Sequence, residues 1–528
     1  MKIEYPNTRQ GSEFRRFHGI DVPDPYRWLE QTESPEVIKW AAAQHNLAGD
    51  FLSDQADVDD CLNFLERNHT SIPHAWHCTR GEREFYFAYR ENRPEPLLCV
   101  YDRGRQEEQV VADVNNTDDR ITAEFIHVSP SGRYVAYNLG PVGSPLVRLY
   151  VYDVESRKVL ESDSLETVAP MVAWHPSEAG YYYNMSRRLF AEDPNRLDGV
   201  YWHCLGTPHE TDIRIFDYHQ GAGQLAFPAL SEDNQHLLIL THHFSASKTG
   251  VMVKSINQVY PQASAQSDHS GFIPLFDDLK DYVRLIGSRG STAFFHTCAG
   301  APRGRIVAID LNRPEREYWT DLVPEGELPI ARPERFGGAG KAVIAGNNLL
   351  VTFVKDAHDL VKHYNLKEDL IRQLDLPGLF TVDAVQKSHT GVRISIQSFL
   401  IPRINFNYDL ADRLEVIEKT IPAEPFMDPD MYQISQVFYP AQDGTSIPLY
   451  LMHKPGLERS GNNPTLLYAY GGFNQAINPE YTPEIGLWLS LGGVYAIANI
   501  RGGGEYGAEW HAQACRENRQ TSFDDFYA

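Results

Sequence analysis

Two glycine-rich segments carry the local chemistry of this chain. Tyr468-Ala469-Tyr470-Gly471-Gly472-Phe473-Asn474 and Asn499-Ile500-Arg501-Gly502-Gly503-Gly504-Glu505-Tyr506-Gly507 each follow an apolar run that reads as a buried parallel strand. Glycines there sit at the carboxyl edge of an α/β sheet, where such sheets hold their sites. The second segment contains a G-x-G-x-x-G (Gly502, Gly504, Gly507), and Asp524 stands about where a ribose-binding acid would be sought. Glu505 weighs against a dinucleotide, because it puts a carboxylate inside the turn that must accept a pyrophosphate. The motif also ends a fourth strand, and Asp524 follows a helix-start signal instead of ending a second strand. A tight strand-to-helix turn is the better reading, and no cofactor is expected. No metal is expected either: His242 and His243 are adjacent on a strand and face opposite ways, and there is no H-E-x-x-H. An α/β-hydrolase serine sits on a G-x-S-x-G elbow, followed in chain order by its acid and histidine. No G-x-S-x-G occurs; Ser288, between Gly287 and Arg289-Gly290, is the nearest imitation. No nucleophile is assigned.

The elements that must position these segments fall into three textures. The first seventy residues read as helical after an extended lead punctuated by Pro23 and Pro25. Ser34-Pro35 has the pattern of an N-cap with proline at N1, opening a helix over Val37 to Leu52, and a second run covers Val58 to Arg67. Between about 70 and 415 lie seven clusters of short apolar runs broken by Gly, Pro, Asn and Asp. Ser129-Pro130-Ser131-Gly132, His175-Pro176-Ser177-Glu178 and Ser231-Glu232-Asp233-Asn234 form a loose repeat, 46 and 56 residues apart. That spacing suits propeller blades, and a seven-bladed β-propeller is expected. From about 420 the strands Ile434–Tyr439 and Ile447–Met452 flank an Asp443-Gly444 turn. Further strands at Thr465–Tyr470 and Val494–Asn499, with helical material over Pro483–Leu491 between them, predict a mostly parallel α/β sheet. Ser522-Phe523-Asp524-Asp525 has a capping-box pattern and predicts a helix opening at Ser522, with Phe526, Tyr527 and Ala528 following the box.

A chain of 528 residues exceeds one hydrophobic core. Its 48 basic against 71 acidic residues, net −23, disfavour nucleic acid and anionic membranes. The six scattered cysteines (Cys61, Cys78, Cys99, Cys204, Cys298, Cys515) read as free thiols in a reducing compartment. Neither a signal segment nor an apolar run long enough to span a bilayer is present, so a cytoplasmic protein is expected.

The motifs together resemble the prolyl oligopeptidase family of serine peptidases, in order and along essentially the whole chain. His18-Gly19 through Asp24-Pro25-Tyr26-Arg27-Trp28-Leu29-Glu30 resembles its opening, and Tyr439-Pro440 with Asp443-Gly444-Thr445-Ser446-Ile447-Pro448 its strand pair. Tyr470–Asn474 and Ile500–Gly507 resemble its Y-GGF-N and IRGGGEYG segments, continued by Trp510-His511 and Phe523–Phe526. The presence of GGFN favours the prolyl branch over the related oligopeptidase B branch. The resemblance implies a propeller inserted in an α/β-hydrolase domain built from both chain ends. The corresponding divisions are 1–70, 71–418 and 419–528, with the hydrolase part incomplete. It implies a monomeric endopeptidase cutting short proline-containing peptides through an acyl-enzyme, without cofactor or metal. Tyr470 matches the tyrosine that completes the oxyanion hole, and Phe473 an aromatic lining the proline-accepting S1 pocket. The serine, acid and histidine are expected beyond Ala528, making this chain a fragment inactive alone. The alternative is a non-catalytic propeller binding module with a vestigial hydrolase remnant.

Overall fold

The fold is that of a computed structural model describing residues 4–53, 58–69, 77–88, 90, 93, 95–115, 124–141, 146–168, 170–186, 199–217, 224–243, 248–256, 271–333, 340–420 and 427–528. Residues 1–67 and 68–528 form two compact units. In the first, strands Phe14–Phe17 and Ile20–Pro23 pair antiparallel, with His18 and Gly19 turning between them at positive φ. Trp28 is buried and organises this unit. Its indole N–H donates to the Arg9 carbonyl at 2.9 Å, the Arg9 guanidinium stacks over its ring, and Trp40 meets it edge-on at 6.3 Å. Helix Pro35–Ser53 starts where the Ser34 hydroxyl accepts the Val37 N–H at 3.3 Å, as the Ser-Pro pattern requires. Helix Val58–His69 follows.

Between residues 77 and 420 the described strands form seven antiparallel sheets, six of four strands and one of five, each from consecutive strands. The first strands of most neighbouring sheets lie side by side, and Thr381–Ser388 of the seventh lies beside His77–Arg80 of the first. This is a seven-bladed propeller closed by packing, since among the described strands no sheet combines strands from both ends of the segment. Its apolar core is distributed between blades. Phe85 of the first shares a cluster with Val135 of the second, Leu238 of the fourth with Phe295 of the fifth, and Leu350 of the sixth with Ile394 of the seventh.

The loose repeat is one turn used three times, between the first and second strands of blades two to four. The Ser129 and Ser231 hydroxyls accept the Tyr134 and His236 N–H groups, each at 3.0 Å. The fourth residue bonds back to the first as Gly132 to Ser129, Glu178 to His175 and Asn234 to Ser231. That fourth position is left-handed each time, at φ 74°, 56° and 58°. Glycine or asparagine suits it; Glu178 occupies it because its carboxylate caps the Ser131 N–H and hydroxyl of the neighbouring blade, both at 2.7 Å.

A buried polar network ties the second blade to the third. His203 places Nε2 2.9 Å from Asp163 and Nδ1 2.7 Å from Asp212. The Tyr183 hydroxyl and His209 Nδ1 reach the other Asp212 oxygen at 2.8 Å. The set His203, His209 and Asp212 has the composition of a metal centre. However, the two imidazoles stack at 4.1 Å and 26°, so their Nδ1 atoms address two carboxylate oxygens side by side. A bound cation needs ligand lone pairs that converge. Flanked by two carboxylates, His203 is placed to donate from both nitrogens, and these partners favour its imidazolium form.

The α/β part holds one four-stranded sheet, ordered Gln433–Pro440, Ser446–His453, Val494–Ala498, Thr465–Ala469. The expectation of a mostly parallel sheet is corrected for these strands. Only the last pair is parallel; the tight Asp443-Gly444 turn makes the first antiparallel, and the second follows suit. Helix Pro483–Ser490 makes the crossover within the parallel pair. The capping-box expectation is also corrected: the last helix spans Gln520–Tyr527, with Ser522 inside it. The Ser522 hydroxyl donates to the Arg501 carbonyl at 2.6 Å instead of capping. No described helix is long and apolar enough to cross a membrane.

Burial works against the charge of His203, but Asp163 and Asp212 outweigh it and raise its pKa, while both carboxylates are lowered. The imidazolium's contribution is therefore complete below about pH 6.5 and is lost as pH rises through the raised value. That of the carboxylates is present above about pH 3.9 and is lost as pH falls through their lowered values. His203→Leu should cost about 3–5 kcal/mol near neutrality, by leaving two buried carboxylates without their cation. Urea unfolding across pH should show wild-type stability falling on the alkaline side, and a smaller fall in the variant, which keeps only the contribution of other groups such as Glu505.

Candidate active site

The site begins with a close approach of two loops that only glycine permits. A β-carbon on Gly502 would lie 2.2 Å from the Gly471 carbonyl oxygen, and one on Gly504 2.4 Å from that of Asn474. On Gly471, at φ 60°, it would meet the Ile500 side chain at 2.6 Å. The glycines of the second motif thus let its backbone lie against residues 471–475. The space a pyrophosphate would need is filled by the protein's own chain.

Arg501 fixes this arrangement. Its backbone N–H donates to Asp525 at 3.0 Å, its Nε and Nη2 to the same carboxylate at 2.9 and 2.5 Å, and its Nη1 to Asp443 at 2.6 Å. The hairpin turn, the strand-end turn and the last helix meet on one guanidinium. Its hydrogen bonds to Asp525, then Asp443, raise its pKa, and Asp443 is held well below the usual carboxylate range. Arg519, from just before the last helix, donates to the Gly471 carbonyl.

Glu505 is buried. It accepts the Ile477 N–H at 3.0 Å and the Asn499 amide at 3.3 Å through one oxygen, while the other has no partner among the described residues. Burial pushes its pKa up to about 7, against the lowering effect of these bonds.

On this base the chain turns out of strand Thr465–Ala469 into Tyr470. Phe473 and Asn474 follow in the left-handed region, at φ 53° and 57°, an unfavourable conformation for an aromatic residue. The Asn474 N–H is held by His511 Nδ1 at 3.0 Å, and the Gln475 N–H by the Gly472 carbonyl at 3.0 Å. Phe473 is thereby turned outward, 73% exposed, so it is not a core residue. Tyr470 is 39% exposed, and its ring lies 6.4 Å from that of Phe473 at 28°. Its hydroxyl has no hydrogen-bond partner among the described residues. Both rings line a cavity of about 320 Å³ between this loop and the propeller.

The cavity's other wall escapes sequence reasoning. Arg303, Arg332 and Lys341 line it from the fifth and sixth blades and the connection between them. Nothing in their local sequence marks them, since blade order alone brings them to one face. The Asn478 amide bonds the buried Asp359 of the sixth blade at 3.2 Å, and the Tyr481 N–H bonds Gln397 of the seventh at 2.8 Å. The loop is thus referenced to the propeller that faces it.

Residues 5–420 match the family model of the prolyl oligopeptidase N-terminal beta-propeller domain, and residues 479–528 match that of the prolyl oligopeptidase family. The chain belongs to the prolyl oligopeptidase family. It is 27% identical to the prolyl endopeptidase of Elizabethkingia miricola, over 100% of this chain and 72% of that protein. It is 26% identical to the dual function macrocyclase-peptidase POPB of Galerina marginata, over 99% and 75%. A solved prolyl endopeptidase structure superimposes with a TM-score of 0.87 at 28% identity, covering 99% of this chain and 75% of the other. The Galerina marginata prolyl oligopeptidase B structure shares the fold, with a TM-score of 0.84 at 22% identity. Propeller and α/β textures read from the sequence therefore correspond to the family's architecture.

Glu505 makes the family's RGGGE turn sensitive to pH. Its raised folded pKa means that its side chain suits the fold fully below about pH 4.5 and costs stability as pH rises to about 7. The cost is about 3 kcal/mol, at about 1.4 kcal/mol per pH unit. Glu505→Gln should remove that slope, so that thermal unfolding near pH 8 occurs at higher temperature than in wild type, with little difference near pH 4.

Proposed function

We propose that this chain is the larger part of a serine endopeptidase that cleaves short peptides after proline through an acyl-enzyme. One observation carries the reading: an unpartnered Tyr470 hydroxyl and an exposed Phe473 ring line the same cavity, on a loop held in an unfavourable backbone conformation. Tyr470 would donate to the oxygen of the scissile carbonyl as it becomes an oxyanion, and Phe473 would pack against the proline ring in S1. The relatives' names support the proline preference, and the Galerina marginata structure, bound to a 35-residue substrate, supports a peptide partner.

The nucleophile is proposed to lie outside these 528 residues, together with the acid and histidine. No G-x-S-x-G occurs here, and the chain spans 72% of the prolyl endopeptidases it matches. In this organisation 1–70 and 419–528 belong to the hydrolase domain and 71–418 to the propeller. The six free cysteines support a reducing compartment such as the cytoplasm, and a monomer is proposed from the family resemblance.

The test is hydrolysis of a fluorogenic Gly-Pro peptide by this chain, beside a version extended through the downstream reading frame. The extended version should cleave and this chain should not. In the extended version Tyr470→Phe should lower kcat by about 10²–10³ with KM little changed, as expected for a donor used mainly in the transition state. Turnover by this chain alone, stopped by a serine-directed inhibitor, would place the nucleophile inside it. Silence of both versions would leave a propeller binding module as the better reading.

A further inference from the structure

The chain is strongly acidic, with 71 carboxylate against 48 cationic side chains, yet the wall facing Tyr470 has the opposite sign. The site cavity and the one adjoining it share Ile330, Ala331, Pro333 and Lys341. Among their described lining residues stand Arg284, Arg303, Arg332, Lys341 and Lys387, and no aspartate or glutamate. Lys341 is answered within the protein, 3.3 Å from buried Asp359. Arg303 and Arg332 are not: among the described residues neither has a carboxylate within ion-pair distance.

Arg332 is held ready. Its guanidinium lies over the Tyr282 ring at 4.5 Å, and Nη2 donates to Cys298 Sγ at 2.8 Å. A stacked guanidinium keeps its remaining N–H donors in a fixed plane, so little side-chain freedom is lost when it binds a planar anion. Arg303 is positioned through its backbone. Its N–H bonds Glu325 at 2.8 Å, its carbonyl accepts the Ile330 N–H, and neighbouring Pro302 accepts the Ala508 N–H beside the RGGGE turn. The local field agrees, since burial and then the charges of Arg332 and Arg284 push His296 in the adjoining wall down to about 3.

We propose that Arg303 and Arg332 form a carboxylate-recognising subsite, so that the preferred peptides carry an anionic group close to the proline. That group is either an acidic side chain or the free terminal carboxylate of a short peptide. The inference rests on the peptide-site reading above. With the proline on Phe473 and its carbonyl at Tyr470, flanking residues face the two guanidiniums, and a carboxylate there gains charge-assisted, paired hydrogen bonds.

Calorimetric titration of this chain tests it with three short Gly-Pro peptides: one uncharged and amidated, one with a free terminal carboxylate, and one amidated with glutamate after the proline. At least one anionic peptide should bind about 10- to 100-fold more tightly than the uncharged one, and which one does so identifies the source. Arg332→Gln should remove most of that advantage while leaving the uncharged peptide's affinity in place. Arg303→Gln, which leaves the Tyr282 stack intact, should reduce it independently, so the test does not rest on one variant folding. Equal, measurable binding of all three peptides overturns the carboxylate subsite but leaves the peptide site standing. No binding of any of them overturns both.

Discussion

The α/β part of this protein depends on one guanidinium. Arg501 is almost wholly buried, and a buried cation is tolerable only when paired and hydrogen-bonded. Asp525 and Asp443 meet that condition from elements 82 residues apart in sequence, the last helix and the first hairpin turn. Because both carboxylates bind the same group, the strand-end turn between them has one place to sit. The three glycines after Arg501 then bring backbone to within van der Waals distance of the loop bearing Tyr470. A side chain at Gly502 or Gly504 would push that loop away and Tyr470 with it.

The conformation of the loop shows what this support is for. Two successive non-glycine residues in the left-handed region cost on the order of 1–2 kcal/mol each. The hydrogen bonds of Asn474 and Gln475 offset this, and Phe473 stands outward. Strain of this kind persists where the surroundings over-determine it, which is commonly at functional sites. Asp359 extends the support into the propeller. It accepts Lys341, the Val382 N–H and the Asn478 amide together, so the cationic wall and the tyrosine loop share an anchor.

Much of this was legible from local pattern, because the relevant physics is local. The Ser34 cap, the Asp443-Gly444 hairpin and the thrice-used blade turn follow from neighbouring residues, and each stands where its sequence placed it. The failures came where a distant partner overrode a local preference. Ser522 has the sequence of a cap, but its hydroxyl is taken by the Arg501 carbonyl and the helix begins before it. Helical sequence alternating with the strands after residue 430 predicts a mostly parallel sheet. The hairpin geometry and the pairing of Val494–Ala498 with Ser446–His453 make two of the three pairings antiparallel.

The sequence by itself determined the family, the two architectures, and Tyr470 and Phe473 as candidate site residues. All of these are carried by motifs whose residues are neighbours along the chain. Only the tertiary structure decided what those residues face. The imidazolium between Asp163 and Asp212, the unpartnered oxygen of Glu505 and the cationic wall of Arg303 and Arg332 are adjacencies across tens to hundreds of residues. Local periodicity does not encode them, since charge and steric fit act through space and blade order alone sets which side chains meet.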